Sequence, residues 1–173
     1  MSALARPAPL PPDAHKGLAG RVAILAGSRW MRGAATLACR AAGRGGAGLV
    51  ALLARDEEVA SQVFLTAPEC VVEDCSARAP GALAAALARR APHALVAGCG
   101  LSQDATAAAL VEEALSFDGP LLLDADALNL LAGRVERLAR RAAPTVLTPH
   151  PLEAARLLGG SAAIGADEGA RLA

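Results

Sequence analysis

The sequence predicts an α/β fold of three layers, a mostly parallel sheet with helices on both faces. Three observations carry this prediction. Short, continuously apolar runs closed by Gly or Asp recur along the 173-residue chain. Runs without polar alternation belong to strands buried on both faces. Segments of helical composition separate these runs, which is the βαβ pattern of a parallel sheet. Finally, 54% of the residues are hydrophobic and only 2% aromatic, so the chain can bury a core, but one made of Leu, Val and Ala.

The elements follow in order. Residues 1–14 are Pro-rich and read as an extended arm. VAILAG (22–27) is the first strand, GAATLACRAAGR (33–44) a helix and GLVALLAR (48–55) the second strand. CVV (70–72) is a weak third strand, PGALAAALARRA (80–91) a helix and ALVAG (94–98) the fourth strand. Over 103–117, Ala107, Leu110, Val111, Ala114 and Leu115 share one helical face. PLLLDAD (120–126) is the fifth strand, 127–142 is helical, PTVLTPH (144–150) is the sixth strand and 151–159 opens a helix.

Composition excludes several functions. The net charge is zero, whereas a duplex-binding surface needs excess Lys and Arg. Stacking platforms for single-stranded nucleic acid need aromatics, and the chain has one Trp, two Phe and no Tyr. No apolar run approaches the ~20 residues of a membrane span. The opening residues lack the apolar stretch of a signal peptide, so a cytoplasmic location is expected. Cys39, Cys70, Cys75 and Cys99 are then expected as reduced, mostly buried thiols. Their spacing fits no zinc module, and no metal-ligand set is expected. About a quarter of the residues are Ala, and sixteen Arg stand against one Lys. That is a coding bias, so Ala-rich stretches say little about function.

Right-handed crossovers place the C-terminal ends of parallel strands on one edge, where ligands bind. The unusual residues fall there. GSRWMRGAA (27–35) follows a strand and opens a helix, whose free N–H groups suit an anion or an amide oxygen. AGCGLSQD (97–104) is a second small-residue loop, in which Ser102 or Asp104 suits the cap of the next helix. Asp124 and Asp126 sit two apart at a strand end. Asp126 reads as the helix cap, and Asp124 as the functional carboxylate, able to orient a hydroxyl or hold Mg²⁺ through water. In TPHPLE (148–153), Pro149 and Pro151 rigidify a turn that holds His150 at the ligand edge, while Glu153 complements the helix dipole. His93 precedes a strand and so lies at the opposite edge. GRGGAG (43–48) matches the dinucleotide fingerprint, but it follows a helix and opens a strand. It reads as a helix C-cap and tight turn.

Taken together, HKGLAGRVAILAGS (15–28), GAATLACRAAGRGGAGLV (33–50), VAGCGLS (96–102), LLLDADALNLL (121–131) and LTPHPLEAARLLG (147–159) resemble the NAD(P)H-hydrate dehydratase family of the ribokinase-like superfamily. The resemblance implies that 15–173 is the N-terminal part of a ribokinase-like dehydratase domain. It implies a repair reaction, in which hydrated NADH or NADPH is dehydrated back to the working cofactor. The reaction is driven by ADP in bacteria or ATP in eukaryotes, with Mg²⁺ as helper. It places Ala34, Gly100 and His150 in the hydrated-nucleotide pocket, with Asp124 beside them, and it assigns Lys16 no role. With so few aromatics, loops and His150 must hold the nicotinamide ring. A homo-oligomer, tetrameric by family, is expected. Two departures stand out: Cys99 and Ser102 within the family's G-P-G-L-G loop, and Leu152 in place of a Gly, which narrows the pocket. The family's later Lys-Gly strand and G-T-G-D-type loop have no counterpart after Leu158, and ADEGARLA (166–173) reads as the start of a helix. An incomplete enzyme of low activity is therefore expected. A small-molecule kinase of the same fold and a non-catalytic nucleotide-binding fragment are the competing readings.

Overall fold

The computed structural model describes residues 10–76 and 81–159. Most of the arm predicted over 1–14 and the helix predicted over 166–173 lie outside the described residues. Among the described residues six strands form one sheet: β1 (Arg21–Leu25), β2 (Leu49–Ala54), β3 (Val71–Asp74), β4 (Ala94–Ala97), β5 (Leu121–Leu123) and β6 (Thr145–Leu147). Their order is β3-β2-β1-β4-β5-β6 and every pairing is parallel. The chain runs outward from β1 to β3, then crosses back to β4 beside β1. The order therefore reverses between β1 and β4, the position at which open α/β sheets bind ligands.

Among the described residues six helices connect the strands, α1 (Arg32–Arg44), α2 (Glu57–Thr66), α3 (Ala82–Arg90), α4 (Ala105–Leu115), α5 (Asp126–Leu130) and α6 (Glu136–Ala139), and a seventh, α7 (Pro151–Leu157), follows β6. Neighbouring strand residues point to opposite faces, and the two cores follow from this alternation. Ile24, Val50 and Leu52 pack with Cys39 of α1 and with Val59 and Val63 of α2. Leu25, Leu53 and Leu95 pack with Leu83 of α3, Leu110 of α4 and Leu128 of α5. The three-layer prediction holds.

Three expectations need correction. A helix, α2, fills a stretch for which none was predicted. Its signals were present in Glu57 and Glu58 in the first turn and in Val59 and Val63 one turn apart. The helix predicted over 127–142 breaks into α5 and α6, because Gly133 turns the backbone to φ +70°. The fifth strand ends at Leu123 rather than at Asp126, so the pleat does not place Asp124 and Asp126 on one face.

The GRGGAG segment is the turn predicted for it. Helix α1 ends at Arg44. At Gly48, an added Cβ would lie 1.8 Å from the Lys16 carbonyl oxygen. The segment around Lys16 thus packs its backbone against the entry to β2. His93 lies at the amino edge of the sheet, where its Nδ1 accepts from the Arg21 N–H at 3.3 Å.

Leu95 is fully buried at the centre of the sheet, whereas Leu37 is 71% exposed on α1. Leu95→Ala is expected to cost about 2–5 kcal/mol in urea unfolding. Leu37→Ala should stay within about 0.5 kcal/mol of the parent.

Candidate active site at the carboxyl edge of the sheet

The loops after β1, β2, β4, β5 and β6 are bonded to one another. The Gly27 N–H donates to the Cys99 carbonyl at 2.9 Å, and the Gly98 N–H donates to the Leu25 carbonyl at 3.0 Å. Together they join the loops on either side of the switch point. At Gly98 the backbone has φ +125°, and a Cβ would lie 1.9 Å from the Asp124 carbonyl oxygen. No other residue lets the end of β5 approach this closely.

Arg55 ties the second strand into the same edge. Its side chain is only 9% exposed. Nη1 donates to the Leu101 carbonyl at 2.8 Å and to Asp104 Oδ1 at 3.1 Å, and Nη2 donates to Asp104 Oδ2 at 3.0 Å. Nε lies 3.3 Å from Asp56 Oδ2 without hydrogen-bond geometry. Asp56 in turn accepts from the Arg29 N–H at 3.0 Å. One guanidinium thus holds the 98–104 loop and, through Asp56, the 27–31 loop. Arg55 ends a run that reads as pure strand, and nothing in the sequence singled it out.

Asp104 caps α4, accepting from the Ala107 N–H at 2.9 Å, as one of the two candidate caps. Burial alone would raise its carboxyl. The Arg55 guanidinium, the Ala107 N–H and the Ser102 hydroxyl instead hold it down at about 2, against an ordinary 3.8. Ser102 does not cap the helix. It sits at φ +75°, with its N–H on Asp126 Oδ2 at 2.8 Å and its hydroxyl on Asp104 Oδ2 at 3.0 Å. Asp126 also accepts from Gln103 Nε2 at 3.0 Å and makes no side-chain cap on its own helix. The expected cap is therefore a loop clamp. The reason is Ala125, whose φ of +49° and ψ of −115° swing Asp126 toward the β4 loop. Ser102 and Ala125 are two of three non-glycine residues with positive φ among the described residues. Such strain persists where surrounding contacts over-determine it.

The four predicted site residues form one row across this edge. Ala34 lies in the first turn of α1 and touches the β4 loop, so that a Cβ on Gly100 would come 2.7 Å from the Ala34 Cβ. Helix α1 starts at Met31 without a side-chain cap and without an acidic residue in its first turn. Next to Gly100, the Cys99 thiol donates to Asp124 Oδ2 at 3.3 Å, and the Thr148 hydroxyl donates to Asp124 Oδ1 at 2.8 Å. Burial, followed by the neighbouring Asp124 carboxylate, pushes the Cys99 thiol up to about 11. Two residues beyond Thr148 stands His150, its side chain 54% exposed.

His150 has a role that the sequence reading missed, as the N-cap of α7. Its Nδ1 accepts from the Leu152 and Glu153 N–H groups at 3.2 and 3.4 Å, and its Nε2 lies 3.2 Å from Glu153 Oε1. Glu153 Oε2 accepts from the His150 N–H at 3.0 Å, completing a capping box. As the acceptor of these bonds, Nδ1 carries no proton, and Nε2 is the ring nitrogen that faces Glu153. Glu153, read as a dipole complement, is 6% exposed and fixes the His150 ring.

The family model for NAD(P)H-hydrate dehydratase matches residues 22–172. The chain belongs to the NAD(P)H-hydrate dehydratase family. A bifunctional NAD(P)H-hydrate repair enzyme from Gloeobacter violaceus is 46% identical over 156 residues, covering 89% of this chain and 30% of that protein. The ADP/ATP-dependent NAD(P)H-hydrate dehydratase of Bacillus subtilis, crystallised with ATP and Mg²⁺, is 31% identical with a TM-score of 0.68, covering 87% of this chain and 51% of that one. A ribokinase-like superfamily protein of Enterococcus faecalis, 24% identical, has a TM-score of 0.75 and covers 95% of this chain and 57% of its own. The dehydratase-family fold here is thus ribokinase-like. The chain spans about half the length of the dehydratases of known structure that it matches. No helix among the described residues is long and apolar enough to cross a membrane.

Two predictions follow from the loop clamp and the thiol. A carboxyl held below its ordinary value supports the fold above that value and loses its effect as pH falls through the lowered one. The Asp104 contribution is therefore full above about pH 4 and is lost toward about pH 2. Asp104→Asn should flatten the fall in unfolding free energy across this window and leave Arg55 short of a partner, costing about 1–3 kcal/mol at neutral pH. Iodoacetamide at neutral pH should alkylate native Cys99 at least about tenfold more slowly than the same thiol in the unfolded chain, as measured by mass spectrometry.

Proposed function

We propose that this chain binds hydrated NADH or NADPH along the row from Ala34 and Gly100 to Asp124 and His150, and that it serves ADP-dependent dehydration of that nucleotide. One observation carries the reading. Four loops from separate strands, bonded through Gly27–Cys99, Cys99–Asp124 and Asp124–Thr148, bring those four residues to one edge of the sheet.

The chemistry asks for positioning more than for a nucleophile. Hydroxide leaves the hydrated ring poorly, and phosphate leaves well. Phosphoryl transfer to the ring hydroxyl, with loss of its proton, makes the better leaving group. The lone pair on the ring nitrogen then expels phosphate, and loss of a ring proton restores the double bond. Catalysis of such a transfer rests on alignment and on stabilising the moving charge. The missing side chain of Gly100 lets the start of α1 pack directly against the β4 loop, which brings both backbones to the ligand edge. The uncapped start of α1 offers N–H groups to an amide oxygen or phosphate. The exposed face of His150, its ring held by Glu153, supplies a fixed flat surface for the nicotinamide.

ADP is the phosphoryl donor in this reading, in keeping with the nucleotide dependence named for the Bacillus subtilis relative. Mg²⁺ finds no set of its own here. Among the described residues no three His, Cys, Asp or Glu side chains could hold a metal, and both oxygens of Asp124 and of Asp126 are engaged. The described residues therefore take no metal-borne step.

Trp30, the sole tryptophan, is 86% exposed on the loop that leads into α1 and reports on the site. Hydrated NADPH should change its fluorescence saturably. Gly100→Ala, which drives a Cβ against Ala34 at φ +63°, should weaken that binding at least about tenfold, with circular dichroism confirming the fold. The same protein is then assayed for ADP-dependent return of the near-ultraviolet absorbance of the reduced nicotinamide. Binding without turnover favours a nucleotide-binding role, phosphorylated alcohol favours the kinase reading, and the absence of binding overturns the site.

A further inference from the structure

A cavity of about 420 Å³ lies at the amino edge of the sheet, far from the candidate site. It is lined by the end of α4, the connection into β5 and the segment between α6 and β6. Three guanidiniums line it, Arg137, Arg140 and Arg141, against one carboxylate, Asp118. In a chain of zero net charge this is a local excess of positive charge.

Arg141 is the fixed member. Its Nη1 donates to the Leu115 carbonyl, its Nη2 to the Gly119 carbonyl at 2.8 Å and its Nε to Thr145 Oγ1 at 2.9 Å. All three acceptors are neutral, so the fork is held rigid while its charge goes unmatched by an ion pair among the described residues. Burial pulls the guanidinium below its ordinary value, opposed only by Asp118. A cation partly removed from water without a counter-ion is costly, and an anion entering the cavity relieves that cost. Three hydrogen bonds leave part of the five-donor fork free to point at such an anion. Arg137 shares the single carboxylate of Glu112 with Arg134, so that carboxylate faces two cations. Arg140 is exposed and makes no ion pair among the described residues.

We propose that this cavity binds a phosphate-bearing ligand, a phosphomonoester or diphosphate on a small organic group. Guanidinium forks match phosphate oxygens in pairs. The volume lies within the roughly 300–1,000 Å³ typical of small-molecule sites and exceeds what a bare ion needs. Phe117, Ala142 and Ala143 supply an apolar wall for the organic part. The inference is independent of the nicotinamide reading, because the two sites lie at opposite ends of the strands.

The test is calorimetric titration of the full chain with pyrophosphate and, separately, AMP. Saturable binding is expected, weakened at least tenfold by Arg140→Glu and by Arg141→Lys, which keeps the charge but loses the fork. Gly100→Ala should leave it unchanged. Should Arg141→Lys unfold, Arg140→Glu carries the test, since the parent side chain is exposed. The proposal is overturned by absence of saturable binding, by loss with Gly100→Ala but not with Arg140→Glu, or by equal displacement with chloride at matched ionic strength.

Discussion

One buried cation, Arg55, organises the carboxyl edge of the sheet. A parallel sheet leaves its carboxyl-edge loops without a partner strand, so their positions depend on side chains. Arg55 reaches over the end of β1 from the end of β2 and takes the Leu101 carbonyl and both oxygens of Asp104. A guanidinium this buried must be paired almost completely to be tolerated. That requirement makes the loop conformation nearly single-valued. Because Asp104 also caps α4, the clamp sets the angle at which that helix leaves the loop.

The rest of the site is built outward from that clamp by short polar links. Asp126 holds the Ser102 and Gln103 side of the loop, and Asp124 joins the β4 loop to Thr148 at the end of β6. The backbone tensions at Ser102 and Ala125 sit inside this network and are sustained by it. His150 closes the row. Its ring is oriented by the capping box of α7, so one side chain both starts a helix and stands at the carboxyl edge of the sheet. Such sharing makes the site rigid with few residues, which suits a chain that has almost no aromatic surface to offer a ligand.

Much of the fold was legible because its signals are local. Short apolar runs locate all six strands, the third only as a weak candidate, and the alternation of strands with helices implies the parallel sheet. The misses have equally local causes. The valines of α2 are β-branched and its stretch is short, so its amphipathic pattern was passed over. A single Gly133 in the left-handed region splits what composition joins into one helix. For the site, motif order was enough to place Ala34, Gly100, Asp124 and His150 along one edge. It was not enough to find Arg55, Thr148 or the clamp role of Asp126. Their partners lie 46, 24 and 24 residues away in sequence, beyond the reach of any periodicity.

By itself, then, the sequence determined the α/β class, the strand succession, the sheet edge at which the candidate residues gather and the family. These follow from hydrophobic spacing, chain handedness and contiguous motifs, all of which are encoded within a few neighbouring residues. Tertiary structure alone decided which polar groups meet: Arg55 with Asp104, Cys99 and Thr148 with Asp124, and Arg141 with the carbonyls of α4 and its following loop. The physical reason is that hydrogen bonds act over about 3 Å. Whether two groups come that close depends on strand order and on backbone turns such as those at Gly98 and Ala125, and no local pattern records it.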